Sequence, residues 1–142
     1  MDPKHMGLVY AAIDLANGEE LLLVRRNIID RDEVKRLSTN MLVDPGSLYM
    51  CINEHMQELL QLPWLRKHWA QLADSQRQEY DLVGPVEVRF KNRVCHASAL
   101  VLHGDSEPLL GVLPMEEMDV LVHPQRQELI IHPDHPEALA RL

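Results

Sequence analysis

Three apolar residues, Met41-Leu42-Val43, run straight into Asp44-Pro45-Gly46-Ser47, and that junction limits what the chain can become. An apolar run of this kind reads as a buried strand, and Pro-Gly bends the backbone immediately after it. Asp44 therefore stands where a strand ends. A carboxylate there is either a turn former, bonding its own backbone two residues on, or a reactive group presented by a rigid scaffold.

The flanking sequence supplies short strands. Gly7 to Ile13 is apolar and β-branched enough for a first strand, Asn17-Gly18 is a strong hairpin signal, and Glu19 to Arg25 returns as a second strand. Arg25 to Arg36 carries mixed charge; it is either a partner patch or a solvated connection, the commoner role of such runs, with Asp30 or Asp32 capping a short turn. After the Pro-Gly bend, Leu48 to Ile52 forms another apolar run. Asn53 then caps a short helix whose Met56, Leu59 and Leu60 read as core. Trp64 and Trp69 line a peptide-binding wall or fill core, and average burial of Trp favours core. Gln71 to Val83 reads as a hairpin with its turn near Ala73-Asp74-Ser75. Gly84-Pro85 punctuates before the alternating strand Val86 to Phe90. Lys91-Asn92 turns the chain into a strand over Arg93 to Leu102, with Val94, Ala97, Ala99 and Val101 in its buried set. Leu109-Leu110-Gly111 follows, Pro114 opens a brief helix, and two strands flank His123 to Arg126. Many short strands, regular turns and two or three short helices make an all-β domain.

The 142 residues suffice for one domain, with 7–133 as its core and 134–142 as a tail. A net charge of −8 disfavours a nucleic-acid surface. Cys51 and Cys95 read as reduced thiols packed in a core, and no run reaches the length of a membrane helix or a signal peptide, so cytoplasmic residence is the expectation. The spacing His132-Pro133-Asp134-His135 lacks a second ligand pair, and no metal is expected. Cys95 and His96, adjacent on a strand, point to opposite faces and are no nucleophile-base pair.

Leu42-Val43-Asp44-Pro45-Gly46-Ser47 together with Leu109-Leu110-Gly111 resembles the retropepsin-like, single-lobe aspartic proteases, whose nucleus is apolar-apolar-Asp-Thr/Ser-Gly-Ala/Ser. The resemblance spans roughly residues 7 to 133. It implies a closed or partly open β-barrel of retropepsin type and an aspartic endopeptidase that needs no cofactor. It also implies Asp44 as the catalytic residue, Pro45, Gly46 and Ser47 as the active-site loop, and Leu109, Leu110 and Gly111 as its support. Ala73, Asp74 and Ser75 would form the tip of a flap over a polypeptide substrate, although a plain surface hairpin fits the same residues. Such a dyad needs two carboxylates and this chain offers one loop of the right type, so the partner would be a second copy, in a homodimer. Pro45 departs from the family pattern, lacking both the hydroxyl and the N–H of Thr or Ser. That departure implies an alternative: the same fold with attenuated hydrolysis, serving as a peptide-binding or dimerisation module.

Overall fold

A computed structural model describes residues 7–72 and 74–137. In chain order these form β1 (Tyr10–Asn17), α1 (Gly18–Arg25), a 3-10 turn (Arg31–Glu33), β2 (Arg36–Val43), β3 (Met50–Asn53), α2 (Glu54–Leu60) and β4 (Trp64–Gln71). Then come β5 (Arg77–Phe90), β6 (Arg93–Leu102), β7 (Leu109–Leu110), α3 (Val112–Met118), β8 (Val120–His123) and β9 (Glu128–Ile131). The fold is mostly β, with three short helices.

Seven strands form one sheet in the order β1-β2-β7-β3-β6-β5-β4. Because β1 also pairs with β5, six of them close into a ring, and β4 hangs on its outside beside β5. Inward-facing Ile13, Leu15, Met41, Met50, Ile52, Val86 and Val88 are nearly sealed from solvent. They share one core with Leu60 of α2 and Met118 of α3, so both helices contribute a face to it. Among the described residues, no helix is long and apolar enough to cross a membrane.

The Asn17-Gly18 hairpin does not form, and Glu19 to Arg25 is helix, not strand. Asn17 is instead the N-cap of α1: its Oδ1 accepts from the Glu20 backbone N–H at 3.0 Å. Its Nδ2 donates to the carbonyls of Leu60 and Gln61, at 2.9 and 3.1 Å, which ties the start of α1 to the end of α2. Local hairpin propensity loses to these three long-range and capping bonds. Gly18 is required here because a Cβ would stand 2.9 Å from the Pro85 carbonyl oxygen. Replacing Asn17, which is 3 % exposed, by Ala is expected to cost about 2 kcal/mol, since a cap is lost and buried carbonyls go unpaired. Chemical denaturation checks this, and Asn17→Asp, which keeps the cap but sets a carboxylate oxygen against the Leu60 and Gln61 carbonyls in a buried site, should lose at least as much as Asn17→Ala.

Four smaller corrections follow the same logic of tertiary context. Gly84-Pro85 lies inside β5 at a shift of register rather than between strands. Pro114 is the third residue of α3, whose N-cap is Gly111. On β6 the buried set takes in Arg93, Cys95, Ala99 and Leu100, while Val94 is exposed. Both tryptophans are exposed, Trp64 at 59 % and Trp69 at 63 %, because β4 lies outside the ring and has no layer over it. Asn53 does cap α2, accepting from the Met56 N–H at 2.8 Å, and Met56 and Leu60 are core while Leu59 is exposed.

Candidate active site

β2 carries Asp44 to the end of the ring. At that end β7 lies between β2, to which it is parallel, and β3, to which it is antiparallel. Leu42 and Asp44 donate their backbone N–H groups to the carbonyls of Pro108 and Leu110, at 3.0 and 2.9 Å, and Val43 between them donates to Val9 at 2.7 Å, so both edges of the strand end are held.

The loop from Asp44 to Tyr49 then closes over Gly111. The Ser47 N–H donates to the Asp44 carbonyl at 3.1 Å, a four-residue turn with Pro45 in the second position, where its fixed φ is favoured. The Ser47 and Leu48 carbonyls accept from Val112 and Leu113 at 2.8 and 3.0 Å. Those N–H groups begin α3 and have no partner within the helix, so loop and helix satisfy each other. A Cβ on Gly111 would overlap the Tyr49 carbonyl oxygen and come within 2.7 Å of the Ser47 carbonyl oxygen. Gly111 thus passes beneath the loop at a distance that leaves no room for a side chain.

The Asp44 carboxylate is half-buried, and its Oδ1 accepts from the Gly46 N–H at 2.9 Å. Ser47 does not join it. The Ser47 hydroxyl donates to the Tyr49 carbonyl at 2.8 Å, and its N–H is spent on the turn. One backbone donor, the Gly46 N–H, orients the carboxylate.

Asp44 opens onto a cleft of about 630 Å³. Tyr49, Cys51, Leu100 and Leu109 line it, together with His68 to Leu72 and Tyr80 of the β4–β5 hairpin. Tyr49 meets His68 edge-on at 4.9 Å between ring centres. At the hairpin tip Leu72 donates to the Gln76 carbonyl, Ser75 donates to the Leu72 carbonyl, and the Asp74 carboxylate accepts from Gln76. Ser75 takes φ 68°, a left-handed conformation. Ala73 lies outside the described residues. No protein-family model and no curated protein matches this chain.

Asp44, Gly46 and Ser47 are thus brought together with Leu109 on one cleft, whereas Asp74 and Ser75 do not line it. Of the stretch His68 to Leu72 that lines the cleft, the sequence reading placed Gln71 and Leu72 in the hairpin and left Trp69 as wall or core, and it did not single out His68 or Ala70. A signal for the stretch was present: two tryptophans five residues apart in a chain only 4 % aromatic, where a wall was the alternative to core.

Both cysteines are free and buried. Burial pushes the Cys51 thiol up, the Ser47 hydroxyl opposes this, and the nearby Asp44 charge adds to it. Burial, reinforced by Glu117, pushes Cys95 up to about 12. A thiol raised in the folded state leaves stability intact below its ordinary value near 9 and removes it as pH climbs toward the folded value, because only the unfolded chain then ionises. Native protein should therefore react with thiol reagents at pH 8 at less than about a tenth of the unfolded rate. Its stability should decline from about pH 9 upward, less steeply in Cys95→Ala.

Proposed function

We propose that the chain is an aspartic endopeptidase of retropepsin-like type, active as a homodimer with one Asp44 from each copy. The observation that carries this reading is the Asp44–Gly46 loop seated on Gly111, with the β4–β5 hairpin lining the same cleft. In the dimer one carboxylate, ionised, takes a proton from a water held between the pair. The protonated partner polarises the scissile carbonyl, and the roles reverse as the amine leaves. The substrate lies extended in the cleft as an added strand, its backbone bonded to the hairpin and its side chains facing Trp69 and Tyr49. With reduced cysteines and no cofactor, the cytoplasm suits it.

Pro45 favours a second reading. It is exposed at the loop crest, where a Thr or Ser would bond the neighbouring copy, and it offers neither hydroxyl nor N–H. Each lost reciprocal contact costs about 1–3 kcal/mol if its partners stay unsatisfied, so the same fold would serve as a peptide-binding or dimerisation module. Cleavage of an unstructured polypeptide at about pH 4–6 by wild type and Asp44→Asn separates these readings. Equal rates sink the first. Pro45→Thr should tighten the dimer and raise the rate, which sedimentation and the same assay measure; no change in either would refute this account of Pro45.

A further inference from the structure

Away from the Asp44 cleft, α1 and the adjoining faces of β2 and β5 enclose a groove of about 620 Å³. Arg25, Arg31, Arg36 and Arg89 converge on it. In a chain with 14 basic and 22 acidic residues, four of the basic ones share a single groove. Its one lining carboxylate is Glu87, 3.8 Å from Arg89 and 3.7 Å from His96 Nε2, and His96 also lines the groove. Among the described residues Arg25, Arg31 and Arg36 have no carboxylate within ion-pairing distance. A smaller cleft shares Arg36, Glu87 and Arg89 with the groove and adds Asp14, whose carboxylate accepts from the Ser38 hydroxyl at 2.6 Å.

The remaining wall is apolar. Leu21, Leu22, Val24 and Pro85 line it, and Leu22 is 53 % exposed. That wall exists because Asn17 starts a helix and Gly18 lets it settle against Pro85.

We propose that this groove binds an acidic segment of another polypeptide, one that alternates carboxylates with leucine-like side chains. Guanidinium groups are planar forks that match carboxylates in bidentate geometry, and the leucines of α1 accept the apolar partners. Charge complementarity selects the occupant: the groove is locally positive on a molecule of net charge −8, so only a short acidic segment is drawn in. A nucleic acid fits less well, because its backbone extends beyond the groove onto repelling surface and uses none of the leucines. The site stands whether or not Asp44 is catalytic.

The test is fluorescence anisotropy of the purified chain with a labelled Glu/Leu peptide of about twelve residues, enough to span the groove. Its Gln/Leu counterpart and a labelled RNA of equal charge serve as comparisons. The Glu/Leu peptide should bind at least about tenfold more tightly than either, and raising salt from about 0.05 to 0.3 M should weaken it. Arg31→Glu with Arg36→Glu should weaken binding about tenfold or more, while Lys91→Glu with Arg126→Glu, the same change in net charge elsewhere, should alter it less than about twofold. Equal loss in both pairs, tighter binding of RNA, or no binding of the Glu/Leu peptide overturns the proposal. Thermal unfolding verifies that each variant folds, and if the Glu pair does not, Arg31→Gln with Arg36→Gln decides by the same criterion.

Discussion

Asp44→Asn is expected to lower peptide hydrolysis by at least about 10³-fold while leaving the fold in place. The asymmetry arises from what each atom does. Asn keeps an oxygen where Oδ1 accepts the Gly46 N–H, and the backbone bonds of residue 44 to Leu110 and Ser47 do not involve the side chain. What disappears is the ionisable oxygen. An amide neither takes a proton from water nor shares one with a twin, and in a dimer both halves of the dyad are lost at once. Thermal unfolding within a few degrees of wild type, together with loss of cleavage of an unstructured polypeptide, is the expected pair of results. A variant that melts normally and cleaves at the wild-type rate removes Asp44 from the chemistry.

Gly111→Ala is expected to remove at least about 4 kcal/mol of stability and lower Tm by about 15 °C. The new Cβ would overlap the Tyr49 carbonyl oxygen and crowd that of Ser47, both main-chain atoms that no side-chain rotation can move. Relief requires lifting the loop, and lifting it breaks the bonds from Val112 to Ser47 and from Leu113 to Leu48, leaving the start of α3 unpaired. Gly104→Ala is the matched control. Gly104 has φ +59° but nothing within 4 Å of an added Cβ, so only backbone strain of about 1 kcal/mol applies. Similar losses at both positions would mean that the close approach beneath the loop is not what Gly111 is for.

How far the site was legible depends on the range of the forces that build each part. The Asp44 turn, the Asn53 cap and the β6 limits were readable because a few neighbouring residues decide them: a proline's fixed φ, an amide within reach of its own helix, a run of alternating side chains. Asn17 failed the same reading. Its neighbours signal a hairpin, but its amide bonds Leu60 and Gln61, more than forty positions along the chain. The tryptophans failed for a related reason. Trp is buried on average, yet β4 adds to the outside of a ring that β1 and β5 have already closed.

The sequence by itself determined a mostly β fold, a carboxylate at a strand end held in a Pro-Gly turn, and a glycine suited to close approach near Leu109. The first two rest on local periodicity and turn chemistry, and the third on the resemblance that Leu109-Leu110-Gly111 carries. Only the tertiary structure decided that β7 lies between β2 and β3, so that Gly111 meets the Asp44 loop, and that α1 stands where four arginines gather. Such contacts join residues dozens of positions apart, and no local pattern encodes which of them the packing of the ring will bring together.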